Sequence, residues 1–233
     1  MRYPLDFSPS SYTGCFFYVD GDAGVTPATG KIATWADQSG RGNNAVQANT
    51  SLQPTYLNPG IRGIGSARCT GANTRMVSAT ATGAPLNSAG ITLFAVARVT
   101  DTSADRTLCG IARGPAQNGM AMLIASGGVF TSFFDVGGNY SSGVTPSLND
   151  YHVFAARYGS GTLTQWVDGR VANVTTGITP TVTAAAINLC VSDYVDGSGL
   201  PWRGDVDHVS MWPTLTDAQM LAANSYFRAR WGI

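Results

Sequence analysis

Leu163-Thr164-Gln165-Trp166-Val167-Asp168-Gly169-Arg170-Val171-Ala172-Asn173-Val174 is the stretch that decides the fold. Asp168-Gly169 sits between two β-prone runs and reads as a two-residue hairpin turn, because glycine accepts the positive φ that such turns require. Leu163 to Val167 and Arg170 to Val174 are therefore antiparallel neighbours. Just upstream, Tyr151 to Tyr158 reads as a strand paired with Leu163 to Val167.

Further strands appear on moving outward from this hairpin. Ile91-Thr92-Leu93-Phe94-Ala95-Val96-Ala97-Arg98-Val99 is almost wholly apolar, the pattern of a central strand covered on both faces. Cys15 to Val19 is a short apolar strand. Asp205 to Trp212 is another, with Val206, Val209 and Met211 as its apolar groups. Gly127-Gly128 and Gly137-Gly138-Asn139 mark turns. One segment reads clearly as a helix. Thr216-Asp217-Ala218-Gln219 is a capping box; Met220, Leu221, Asn224, Phe227, Arg228 and Trp231 follow at helical spacing, and Gly232 stops the helix. Leu221, Phe227 or Trp231 is expected to hold it against the sheets. Residues 1 to 14, with Pro4 and Pro9, read as an extended arm. Residues 15–233 form the body, in which we find neither a linker nor an internal repeat. The expected fold is all-β: a two-sheet antiparallel jelly-roll sandwich with one C-terminal helix.

Composition narrows the function. The 233 residues are 44% hydrophobic but only 12% charged, about half the usual charged share. The chain holds 14 acidic and 14 basic residues, for a net charge of zero. All the acids are aspartate, and Lys31 is the single lysine. Such a surface is a poor match for a phosphate backbone, so nucleic acid is not the expected partner. No apolar run approaches the roughly 18 residues that span a bilayer, so no membrane insertion is expected. Met1-Arg2-Tyr3-Pro4-Leu5-Asp6 lacks the apolar core of a signal peptide. The expectation is a product made in a bacterial host cytoplasm. Cys15, Cys69, Cys109 and Cys190 each lie in apolar runs and read as buried thiols; one or two disulfides are the alternative, and four cysteines allow three pairings.

An ordered set of short motifs carries a resemblance. Tyr18-Val19-Asp20-Gly21-Asp22 is followed by Trp35-Ala36-Asp37-Gln38-Ser39-Gly40-Arg41-Gly42-Asn43-Asn44. Gln53-Pro54-Thr55-Tyr56 and Ala67-Arg68-Cys69-Thr70-Gly71 come next, then Trp166-Val167-Asp168-Gly169 and Trp202-Arg203-Gly204-Asp205-Val206. The Leu215-Thr216-Asp217 helix closes the chain. Over residues 15–233 this order resembles the concanavalin A-like lectin/glucanase superfamily, in its laminin G-like branch. That resemblance implies a non-catalytic virion surface protein of a bacteriophage, either a capsid decoration or a tail-associated subunit. Its implied partners are other virion subunits and further copies of itself. A lectin-like module for cell-surface glycans is the alternative, and a glycoside hydrolase comes third.

Most motif residues have structural readings. Trp35 is a core residue, and Asp37 and Ser39 cap a turn, with Gly40 and Gly42 supplying special backbone angles. Asn43 and Asn44 read as turn residues that could also face sugar hydroxyls. The enzyme branch of the superfamily uses paired glutamates on one strand, and this chain has no glutamate. Asp205-Val206-Asp207 imitates the pair, since alternate residues share a strand face. It falls in a strand that the resemblance marks as structural, so no catalytic residue is expected. His152 and His208 are the only candidate bases, and no Gly-x-Ser-x-Gly elbow accompanies them. The richest binding loop is Ser192 to Gly199, where Asp193, Tyr194, Asp196 and Ser198 lead to Trp202. No cofactor is required, but Asp193 and Asp196 could hold Ca²⁺, which takes oxygen ligands. Tyr3, Leu5, Phe7 and Tyr12 make the arm a candidate docking element for a neighbouring virion subunit.

Overall fold

The run Ile91–Val99 is a strand with both faces covered. Alternate side chains of a strand point to opposite faces. Here Leu93, Ala95, Ala97 and Val99 enter one hydrophobic cluster, while Phe94 and Val96 enter another. Two buried faces explain why polar residues do not alternate along it. The structure is a computed structural model that describes residues 9, 14–71, 73–79, 90–111, 119–134, 138–179, 188–193 and 200–233. The arm residues Tyr3, Leu5, Phe7 and Tyr12 lie outside the described residues.

In chain order the strands are β1 Phe17–Asp20, β2 Val25–Ala28, β3 Lys31–Trp35, β4 Ala45–Val46, β5 Thr55–Leu57, β6 Ser66–Thr70, β7 Met76–Ser78, β8 Ile91–Val99 and β9 Arg106–Ile111. They continue as β10 Met120–Ile124, β11 Phe130–Phe134, β12 Gly138–Ser141, β13 Tyr151–Gly159, β14 Thr162–Val167, β15 Arg170–Thr176, β16 Leu189–Val191 and β17 Arg203–Pro213, before helix α1 Asp217–Trp231. One layer runs β15–β14–β13–β8–β17, with β1 and β6 sharing the far edge of β17. The other runs β12–β11–β10–β9–β16–β7–β4–β3–β2. β5 bridges β6 to β3, so hydrogen bonding passes continuously from one layer to the other. The named strands pair antiparallel throughout, as a jelly-roll sandwich requires.

The main core lies between the layers and includes Phe17, Trp35, Phe130, Phe154, Trp202 and Met211. The deciding hairpin forms as expected: Val167 pairs with Arg170, and Asp168 and Gly169 both take positive φ, 51° and 74°. A turn with two left-handed residues in succession matches the twist of the flanking strands. The four cysteines are buried thiols.

Helix α1 covers the outer face of the first layer. Thr216 accepts from Gln219 N–H and Gln219 reaches back to Thr216 N–H, while Gly232 ends the helix in the left-handed conformation. Met220, Ala223, Phe227 and Trp231 bury against Phe94, Val96, Val153, Ala155, Trp166 and Trp212. Full burial of Phe227 and Trp231 contributes about 1.5–3 kcal/mol each. Leu221 corrects one expectation: it is 67% exposed and does not anchor the helix. The seam runs through 220, 223, 224, 227 and 231, and Leu221 stands about 100° round from Met220 on a 3.6-residue helix.

Beneath the helix, β17 contains a bulge. Val206 pairs with Ala97 and His208 with Val96, so Asp207 is the extra residue. Val206 and Val209 both enter the inter-layer core, and the two residues between them reach the helix instead. Asp207 accepts from the Trp231 indole N–H at 3.1 Å, and the His208 ring lies 4.4 Å from that of Phe227.

Candidate functional site

Strand register assembles a polar row on the helix-bearing face of the first layer. Asp205 of β17 pairs with Arg68 of β6 on one side and Arg98 of β8 on the other, and Arg98 pairs with Tyr151 of β13. Directly opposed side chains in antiparallel strands lie about 4.5–5.5 Å apart at Cβ, close enough to interact. Arg68 donates to Asp205 through Nε at 2.9 Å and Nη2 at 3.3 Å. Arg98 Nη2 and the Tyr151 hydroxyl donate to Asp205 Oδ2, the latter at 3.1 Å. The Arg98 guanidinium also lies over the Tyr151 ring, 5.5 Å from its centre. Asp205 is buried, and the hydrogen bond to its carboxylate raises the Arg68 pKa further.

Arg203, two residues before Asp205, adds a third guanidinium. Its Nη1 is 3.0 Å from Asp101, which also pairs with Arg106. Hydrogen bonds from Ser103 and the Arg106 charge hold Asp101 well below the usual carboxylate range. The Arg203 stem lies across Gly71, where a Cβ would stand 2.2 Å from Arg203 Nε. Gly204 is equally constrained: at φ 141°, a Cβ would fall 1.8 Å from the Arg98 carbonyl oxygen. These close approaches shape an open cleft of about 340 Å³, lined by Arg68, Arg98, Thr100, Arg203 and Asp205 among others. Side-chain exposures of 45%, 27% and 47% for Arg68, Arg98 and Arg203 leave all three guanidiniums reachable from solvent.

Of the expected binding segment, Trp202 precedes Arg203 of this cleft directly. Trp202 is a correction. It is fully buried, and its indole N–H donates to the Arg98 carbonyl at 3.3 Å, so it props the cleft from beneath and offers no sugar platform. Asp193 is buried and accepts from Leu200 N–H at 3.3 Å. Tyr194, Asp196 and Ser198 lie outside the described residues, so of the expected calcium ligands only Asp193 is described. Asn43 is likewise a correction: it is buried, with its side-chain amide donating to the Phe16 carbonyl. Asn44 is exposed but spends its oxygen on Asp37 N–H at 2.9 Å. Asp37 in turn accepts from the backbone of Tyr18, Ser39 and Asn43. The motif from Trp35 to Asn44 is a turn pinned to the segment from Phe16 to Asp20, with its polar groups engaged there and among themselves.

Arg68, Arg98, Arg203 and Tyr151 were absent from the sequence-level candidates. Arg98 had a signal, as the only charged residue in an otherwise apolar central strand.

Both members of the acidic pair of β17 are buried. Asp205 has its oxygens engaged by two guanidiniums and a phenol, and Asp207 is buried under Trp231. Burial, reinforced by the Asp205 charge, pushes the Asp207 carboxyl up to about 7.

A second cluster has the spacing of a hydrolytic triad. Ser147 Oγ lies 3.1 Å from His152 Nε2, and His152 Nδ1 lies 2.8 Å from Asp168 Oδ2. Its hydrogen bonds run the other way. Ser147 Oγ donates to Asp150 at 2.7 Å, and His152 Nε2 also reaches the Ser147 carbonyl at 3.2 Å. A carbonyl only accepts, so that contact is a hydrogen bond only in ring forms with a proton on Nε2, while the serine hydroxyl is already given to Asp150. Burial opposes a charged ring, but Asp168 outweighs it and raises the His152 pKa. The cluster ties the 147–150 loop to the hairpin turn.

No protein-family model matches the chain, and no curated protein matches it. Solved structures do. A Trypanosoma rangeli sialidase is similar over 92% of this chain at 13% identity with a TM-score of 0.65, and the chain spans about a third, 33%, of that protein. Domain 4 of AbnA, a GH43 extracellular arabinanase from Geobacillus stearothermophilus, solved in complex with arabinotriose, is similar over 89% of this chain and 97% of that domain. Its identity is 11% and its TM-score 0.64. At these identities the likeness is one of fold, and the fold is an antiparallel jelly-roll-like β-sandwich.

Proposed function

We propose that this chain is a non-catalytic carbohydrate-binding sandwich. The observation that carries the reading is the near-complete overlap with one domain of an arabinanase, solved in complex with arabinotriose. Two features of the chain support it. Its acidic strand pair is buried, and the serine of its Ser–His–Asp cluster donates to Asp150 instead of to the histidine. Fold alone does not specify activity, so the site must carry the claim, and the arginine-lined cleft is the opening that presents three guanidiniums to a ligand. The motif order adds a setting to this proposal: a laminin G-like module displayed on a phage virion, as a capsid decoration or tail-associated subunit.

Affinity electrophoresis against a panel of neutral and charged polysaccharides, run beside a reducing-end assay on the same substrates, tests the reading. Retardation by at least one polysaccharide without release of reducing ends is expected. Retardation by none, or measurable turnover, would overturn it.

A further inference from the structure

We infer that the cleft between β6, β8 and β17 recognises acidic sugars, through an oxyanion — carboxylate or sulfate — held by Arg203, Arg68 and Arg98. This rests on the carbohydrate-binding reading and specifies its ligand class. The lining brings together three arginines and one aspartate. Asp205 occupies two N–H groups of Arg68 and one of Arg98, and Asp101 engages one nitrogen of Arg203. A guanidinium carries five N–H donors, so most of the donor capacity of the three groups is left over. Arg98 Nε is buried and has no acceptor among the described residues. A nitrogen closed to solvent is closed to a ligand as well, so the donors on offer are the exposed guanidinium nitrogens.

Charge distribution points the same way. Only 12% of this chain is charged, yet three of its arginines converge on one opening. The donors those guanidiniums still offer are best met by an anionic ligand, since hydrogen bonds to a charged acceptor are the stronger ones. Guanidinium forks match carboxylate and sulfate oxygens in two parallel hydrogen bonds. At about 340 Å³ the cleft is at the small end of ligand pockets, room for one or two sugar rings. Thr70 and Thr100 supply hydroxyls on the lining for ring hydroxyls. A track for nucleic acid would need a longer run of cations than this isolated group.

Isothermal titration of the whole chain with polygalacturonate, chondroitin sulfate, neutral arabinan, dextran and a single-stranded oligonucleotide tests the inference. Arg203→Ala and Arg68→Ala are the variants, with Arg203→Lys as the conservative one and thermal melts as the check of folding. Polygalacturonate or chondroitin sulfate is expected to bind; polygalacturonate carries carboxylates alone, so its binding assigns the site to carboxylate, and binding of chondroitin sulfate without it assigns the site to sulfate. Arg203→Ala should weaken that binding about ten- to hundredfold, the loss of a charge-assisted hydrogen bond. Arg203→Lys should recover part of it, and added salt should weaken it. Binding of neutral arabinan or dextran alone would overturn the acidic-sugar claim and leave the carbohydrate reading standing. No binding to any glycan would sink both. Acidic glycans bound equally well by folded Arg203→Ala and Arg68→Ala proteins would remove the claim from this cleft, and oligonucleotide binding of equal strength would overturn the sugar class.

Discussion

Asp205→Asn tests whether the carboxylate at the centre of the cleft is a structural keystone. Asp205 is buried between Arg68 and Arg98 and accepts from the Tyr151 hydroxyl. Removing one partner of a buried ion pair costs about 3–5 kcal/mol, because the other charge is left uncompensated. Two features reduce that figure here. Arg68 and Arg98 are 45% and 27% exposed, so solvent screens what they lose. Asparagine also keeps one oxygen to which Tyr151 can donate. About 2 kcal/mol of destabilisation remains. For a chain of 233 residues, that corresponds to a fall of about 4–8 °C in Tm. Thermal melts followed by circular dichroism at neutral pH measure it. Asp217→Asn is the comparator: Asp217 pairs with Arg157 but is 90% exposed, and its Tm should move by no more than about 2–4 °C. An Asp205→Asn melt indistinguishable from wild type would refute the reasoning, since the row would then be a surface ornament.

Three further predictions concern groups away from the cleft or beneath it. Asp207, raised to about 7 by burial, favours folding while protonated. That contribution is whole below about pH 4, fades as pH rises, and is gone above about pH 7. Asp207→Asn mimics the protonated acid, so its Tm should exceed wild type at pH 8 and match it at pH 4; an equal difference at both would contradict the assignment. The raised pKa of His152 means that its bond to Asp168 stabilises fully below about pH 6.5 and is lost as pH rises through the folded value. The Tm gap between wild type and His152→Gln should therefore be widest near pH 5.5 and narrow by pH 9, and a gap that widens with pH would count against an imidazolium. Deleting residues 2–12 should leave the melting temperature nearly unchanged while abolishing incorporation into virions; normal assembly of the deleted protein, or unfolding of its sandwich, would dispose of the docking arm.

What could be read along the chain was conformation. Asp168-Gly169 specifies its turn because two left-handed residues in succession are tolerated by very few side-chain pairs, and both residues do sit at positive φ. Thr216 and Gln219 specify the helix start because the hydrogen bonds that satisfy its first N–H groups come from residues three apart. The apolar run Ile91–Val99 specifies a strand buried on both faces for the same reason: its signal lies within nine consecutive residues. The candidate site was of another kind. Arg68 and Asp205 are 137 positions apart, and they meet because β6 and β17 pair in one register. A shift by a single residue would send every side chain of one strand to the opposite face. Nothing local to either residue encodes that register. The bulge that turns Asp207 toward Trp231, the burial of Trp202 beneath Arg98 and the exposure of Leu221 have the same origin. Each depends on which distant surface arrives to cover the residue, and that is decided only when the whole sandwich packs.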